Sequence, residues 1–116
     1  MAEEKRLAEA VDYLEKAVVI IKTNPRVFYN WGLCLQHLGQ QDEAEMAYLK
    51  ALDIYENDYS TIYALTVLYM QQQRWEDASV YARHLQKLNS NSAEVKDIVE
   101  YIRQNSGKYE NYFGDE

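Results

Sequence analysis

A chain whose residues recur every 34 positions folds as a stack of like units, because each unit must bury its apolar face on the next. Ala10, Ala44 and Ala78 stand at that spacing, as do Leu14, Tyr48 and Ala82. So do Ala17, Ala51 and Leu85, and Ile20, Ile54 and Leu88. The same offset relates Phe28 to Ile62, Tyr29 to Tyr63, Trp31 to Leu65 and Leu35 to Tyr69, with no gap needed. Agreement at so many positions makes the repeat the frame for everything else.

Local signals divide each unit into two helices. Asn24 before Pro25 is an N-cap followed by a proline at the first helical position, where its missing N–H costs nothing. From there Phe28, Trp31, Gly32, Leu35 and Leu38 recur at helical spacing, and Gly39 supplies the stop. Asp42 is expected to cap a second helix that carries Ala44, Ala47, Tyr48, Ala51, Leu52 and Tyr55 on its buried side, until Asn57-Asp58 breaks it. The next pair is expected over residues 59–72 and 75–88. Asn91 with Glu94 reads as a capping box for a last helix from Ala93 to about Arg103. Residues 1–24 thus give the second helix of a partial repeat, 25–58 and 59–92 two complete units, 93–105 a capping helix, and 106–116 a flexible aromatic and acidic tail. The expected fold class is all-α, about six helices arranged as a solenoid of antiparallel pairs.

In this layout the chain resembles the tetratricopeptide repeat family. The first complete unit answers the family pattern with Phe28, Trp31-Gly32, Leu35, Ala44, Tyr48 and Ala51; the second with Ile62, Leu65-Thr66, Tyr69, Ala78, Ala82 and Leu85. Thr66 departs from the small residue the family prefers, and Tyr48 then Ala51 becomes Ala82 then Leu85, a swap that roughly conserves volume. The family's proline near the end of the second helix is absent, with Glu56 and Ser90 in its place. The resemblance implies a right-handed helical-repeat solenoid that binds proteins and uses no cofactor.

Charge and cysteine usage exclude several functions. Twelve Lys and Arg against nineteen Asp and Glu leave a net charge of −7, which repels nucleic acid and anionic membranes. The longest apolar run, Ala17 to Ile21, is too short to insert across a bilayer, which needs about 20 residues. One cysteine, Cys34, allows no internal disulfide and fits a reducing, cytoplasmic setting. Cys34 and His37 lie near one face of a helix, but no third group orients them, so they are expected to pack and not to catalyse. His84 stands apart, the four glycines are scattered, and the carboxylates cluster at helix starts, where they complement the macrodipole. The expectation is therefore no enzyme, no metal and no cofactor.

In solenoids of the resembled family the first helix of each pair lines a concave surface. By helical phase the side chains expected there are Tyr29, Asn30, Leu33 and Gln36 in the first unit and Tyr63, Val67, Met70 and Gln71 in the second. Such a surface, apolar and bearing tyrosines, suits anchoring a peptide segment of a partner protein. A family variant that clamps a terminal carboxylate is matched at Asn30 but lacks its basic residues, since Ser60 and Ala64 stand there. A structural reading competes. Leu7, Ala10, Leu14 and Ala17 lack an expected partner helix, so the chain is either a piece of a longer solenoid with upstream repeats or one half of a homodimer meeting at that face. A further reading is a small acidic secretion chaperone of the same class, which the stretch Gly32 to Gln40 resembles. Docking of tail residues Tyr109, Tyr112 and Phe113 into a groove is a sharper expectation for the C-terminal end.

Overall fold

A computed structural model describes residues 2–20 and 24–106 of the chain, and those residues form six α-helices without a strand. They are α1 (Ala2–Ile20), α2 (Pro25–His37), α3 (Gln41–Ile54), α4 (Tyr59–Gln71), α5 (Trp75–Leu88) and α6 (Ala93–Ser106). The chain divides into two compact units, Met1–Thr61 and Ile62–Glu116, with the division inside α4. The all-α helical-repeat class expected from the 34-residue period is the one observed.

In the first unit α1 packs on α2 and α2 on α3. Asn24 starts α2 as its pattern requires: its side chain accepts a hydrogen bond from the Arg26 N–H at 2.9 Å, and Pro25 follows. The end of α2 is a Schellman motif, with Gly39 N–H donating to the Gln36 carbonyl and Gln40 N–H to the Leu35 carbonyl. Gly39 sits there at φ +82, a conformation that glycine adopts without steric cost. The core of the unit is Val11, Phe28, Gly32, Leu35, Ala44, Ala47, Tyr48 and Ala51. Gly32 leaves room for the Tyr48 ring, because a Cβ at that position would lie 2.6 Å from Tyr48 Cδ1.

In the second unit α5 packs on α6, and the same backbone devices return. Gln73 N–H donates to the Met70 carbonyl and Arg74 N–H to the Tyr69 carbonyl, so α4 ends in the motif that ends α2. Gln73 takes the glycine's place, at φ 58. The core here is Ile62, Leu65, Leu68, Tyr69, Ala78, Ala82, Leu85, Val95, Ile98, Val99 and Ile102. Thr66 is fully buried as well; its hydroxyl donates to the Ile62 carbonyl at 2.7 Å, which satisfies it within its own helix.

Three local expectations are corrected. Asp42 does not cap α3: the capping position is Gln40, without a side-chain hydrogen bond, and Asp42 lies inside the first turn. The turn is too tight for a separate cap, because Gln40 closes α2 and opens α3 at once. Asn91 does not cap α6 either; Ser92 does, its hydroxyl accepting from the Val95 N–H at 3.3 Å. Tyr55 lies past the end of α3 in extended backbone at φ −143, and is 53% exposed instead of joining the core. The last helix reaches Ser106, which is buried, and the expectations for the tail at 107–116 lie outside the described residues.

Candidate functional site

The residues expected to meet a ligand divide between the two units, and each set is described within its own. In the first unit, α2 begins at Pro25, and that start sets the phase that turns Phe28, Gly32 and Leu35 inward. Tyr29, Leu33 and Gln36 are consequently half-buried along one side of the helix, with Asn30 exposed beside them. The Tyr29 ring is held from two directions. Its centroid is 6.3 Å from that of Tyr48, and the Arg26 guanidinium lies over it at 4.5 Å.

Gln36 has a different role from the one its position suggests. Its Oε1 accepts a hydrogen bond from the Tyr48 hydroxyl at 2.7 Å, so that oxygen is taken up inside the unit. This bond fixes the Tyr48 ring, which in turn backs Tyr29. Burial, with Tyr29 and Cys34 nearby, pushes the Tyr48 hydroxyl well above its ordinary value near 10 and keeps it a donor. Sequence reasoning missed this connection, which joins residues on two helices; the signal available was Tyr48 on the buried face of α3, needing a partner for its hydroxyl.

In the second unit α4 carries Tyr63, Val67 and Met70 half-buried and Gln71 exposed. They form one side of the helix whose other side holds the buried Ile62, Leu65 and Tyr69. Arg74 lies over the Tyr69 ring at 4.5 Å and is held by Asp77 at 2.9 Å, which rigidifies the turn that follows.

On α1, Leu7, Ala10 and Leu14 are half-buried around the buried Val11, so this face is partly covered and not bare. The side chain of Ala17 lies outside those described. Among the described side chains of α1, Tyr13 stands in solvent, 71% exposed.

Cys34 is half-buried, and burial pushes its thiol up from its ordinary value, the opposite of what a nucleophile needs. His37 beside it is exposed in the last turn of α2. Among the described residues no group of three or more His, Cys, Asp or Glu is placed to hold a metal ion. None of the described helices is long and apolar enough to cross a membrane.

No curated protein matches the chain. Residues 25–58 match the tetratricopeptide repeat family. Among solved structures the fold is similar to the TPR domain of Arabidopsis OM64, with a TM-score of 0.78 at 18% identity, over 90% of this chain and 86% of that one. Repeats of this family are generally protein–protein interaction modules. The matched segment spans α2, the tight turn at Gly39 and α3, the helix pair built around Gly32 and Tyr48, so that over this pair the chain is similar to a tetratricopeptide repeat.

Proposed function

We propose that the chain is a non-catalytic interaction module, acting in the cytoplasm, that binds a peptide segment of a partner protein. Its contacts are Tyr29, Asn30, Leu33 and Gln36 on α2 and Tyr63, Val67, Met70 and Gln71 on α4. The observation that carries this reading is the support beneath Tyr29. A half-buried ring backed by Tyr48, which Gln36 holds, and covered by Arg26 loses little freedom when a ligand packs against it. Asn30 is exposed beside that ring with both an acceptor and donors to offer a peptide backbone. Burial pushes the Cys34 thiol up, which does not favour a nucleophile at that position.

The test is retention of a partner from native cell extract by the wild type and by the Tyr29→Ala/Tyr63→Ala variant. Circular dichroism and light scattering on both baits check helicity and mass. A partner held by the wild type and lost by a variant of unchanged helicity and mass supports the reading. Equal retention by both baits refutes it. A wild type of doubled mass that Leu7→Glu/Leu14→Glu returns to monomer assigns the α1 face to a second copy.

A further inference from the structure

The second unit holds a feature at odds with the acidic composition. Between the C-terminal half of α5 and the start of α6 lies a cleft of about 350 Å³, lined among the described residues by Arg83, Gln86, Lys87, Ser90, Val95 and Lys96. Three of these six are cations, and no carboxylate joins them, in a chain whose net charge is −7. All three cations are exposed, and none is paired with another described residue.

The placement of these charges is not explained by the helices that carry them. Arg83 and Lys87 stand four apart on one helix, a like-charged pair that opposes helix formation. Lys87 gains something from the C-terminal end of α5, but Lys96 lies in the first turns of α6, where the dipole disfavours a cation. The one acidic residue a turn beyond Lys96, Glu100, is already engaged by the Gln104 side chain at 3.1 Å. The apolar residue of the lining is Val95, which is buried, and outside that lining Val80 stands exposed one turn before Arg83 on the same side of α5.

We infer that this cleft is a second binding site, distinct from the α2 and α4 faces, and that it takes an acidic peptide segment of a partner protein. Carboxylates of the segment pair with Arg83, Lys87 and Lys96, while an apolar side chain between them rests on Val95 and Val80. A compact inorganic anion fits less well, because it needs donors converging at one point. Here the cations are spread along two helices around Val95. Charge complementarity of this kind sets the choice of partner and the rate of encounter.

The probe is a fluorescein-labelled decapeptide in which glutamate alternates with leucine, followed by anisotropy with the full chain at about 0.1 M salt. Saturable binding is expected, at least about tenfold weaker for Arg83→Glu/Lys87→Glu and for a peptide with glutamine in place of glutamate. Lys96→Glu is expected to weaken it as well, and Tyr29→Ala/Tyr63→Ala to leave it unchanged, which separates this site from the one proposed above. Matching thermal melts confirm folding, and Arg83→Gln/Lys87→Gln replaces the charge reversal if that variant does not fold. No saturable binding, or equal binding by the charge-reversed variant or the glutamine peptide, overturns the proposal. So does displacement of the peptide by equimolar inorganic phosphate, which assigns the cleft to phosphate. A wild-type dimer that Arg83→Glu/Lys87→Glu dissociates overturns it in favour of a second copy.

Discussion

Gly32 and Tyr48 illustrate how one repeat solves a packing problem that the next solves the other way round. In the first unit glycine makes room and tyrosine fills it; 34 residues on, the pair is Thr66 and Ala82, a larger residue and a smaller one, all four buried. The sequence showed the two departures separately, Thr66 in the small residue's place and Tyr48–Ala51 becoming Ala82–Leu85; all of these residues are buried, so the volume lost at Ala82 is partly made up by Thr66 and Leu85. Gly32→Thr alone is expected to cost about 2–3 kcal/mol through overlap with the Tyr48 ring. Tyr48→Ala alone is expected to cost about 3–5 kcal/mol through the void and the lost hydroxyl bond. The double variant re-creates the second unit's pair, so urea melts should show it at least about 1 kcal/mol more stable than the sum of the singles predicts. Strict additivity would disprove the coupling. The Tyr48 hydroxyl also makes stability depend on alkaline pH. Its folded value is raised, chiefly by burial, above the unfolded value near 10, so the folded state keeps a proton that the unfolded state releases. That contribution is whole below the unfolded value and is lost as pH rises beyond it. Tyr48→Phe should therefore be less stable than wild type at neutral pH by about 1 kcal/mol, for want of the Gln36 bond, with the gap closing above about pH 10.

Helix ends show where the sequence is a good guide and where backbone geometry takes over. The capping residues fall at one register: Asn24 bonds the Arg26 N–H, Asp58 accepts from the Thr61 hydroxyl just inside α4, and Ser92 bonds the Val95 N–H, each 34 residues after the last. That register was the signal that could have identified Ser92; the Asn91–Glu94 spacing matched a capping box but was one residue out of step with the repeat. The caps of α3 and α5 were not legible in this way, although α5 starts at Trp75 as expected. Gln40 and Arg74 have backbone fixed near φ −89 by the tight turn, with no side-chain cap, so residue preference had nothing to act on. At the other side of the same turns, Gly39 and Gln73 share one geometry at very different cost. A left-handed backbone costs an ordinary residue about 1 kcal/mol or more, partly offset in glycine by its freer unfolded state. Gln73→Gly is accordingly expected to raise the melting midpoint by the equivalent of about 0.5–1 kcal/mol, and Gly39→Gln to lower it by about 1 kcal/mol. A stabilising Gly39→Gln would show that the two turns differ in more than the residue at that place.

For the whole molecule, helical phase separates the half-buried Tyr29, Leu33, Tyr63 and Val67 from the buried Phe28, Leu35, Ile62 and Leu65, since it needs only the period and a starting point. It missed the engagement of Gln36 by Tyr48, twelve residues away, and it missed the basic cleft entirely. Net charge is a sum over the chain, whereas a ligand feels charges within a screening length, and a total of −7 hides three cations gathered on α5 and α6. The two scales can be separated by salt. At about 0.01 M the screening length is near 30 Å, so an approaching acidic peptide meets the negative charge of the molecule as well as the cleft. At about 0.1 M it falls to near 10 Å, and Arg83, Lys87 and Lys96 dominate what the peptide meets. At about 1 M it is near 3 Å and even those contacts are screened. The association rate of the glutamate–leucine peptide should therefore pass through a maximum at intermediate salt, a profile that stopped-flow anisotropy can read directly. Arg83→Glu/Lys87→Glu removes the local attraction and leaves only repulsion, so for that variant the rate should rise steadily with salt. A wild-type rate that falls monotonically from the lowest salt would mean that the cleft, and not the overall charge, governs approach at every distance.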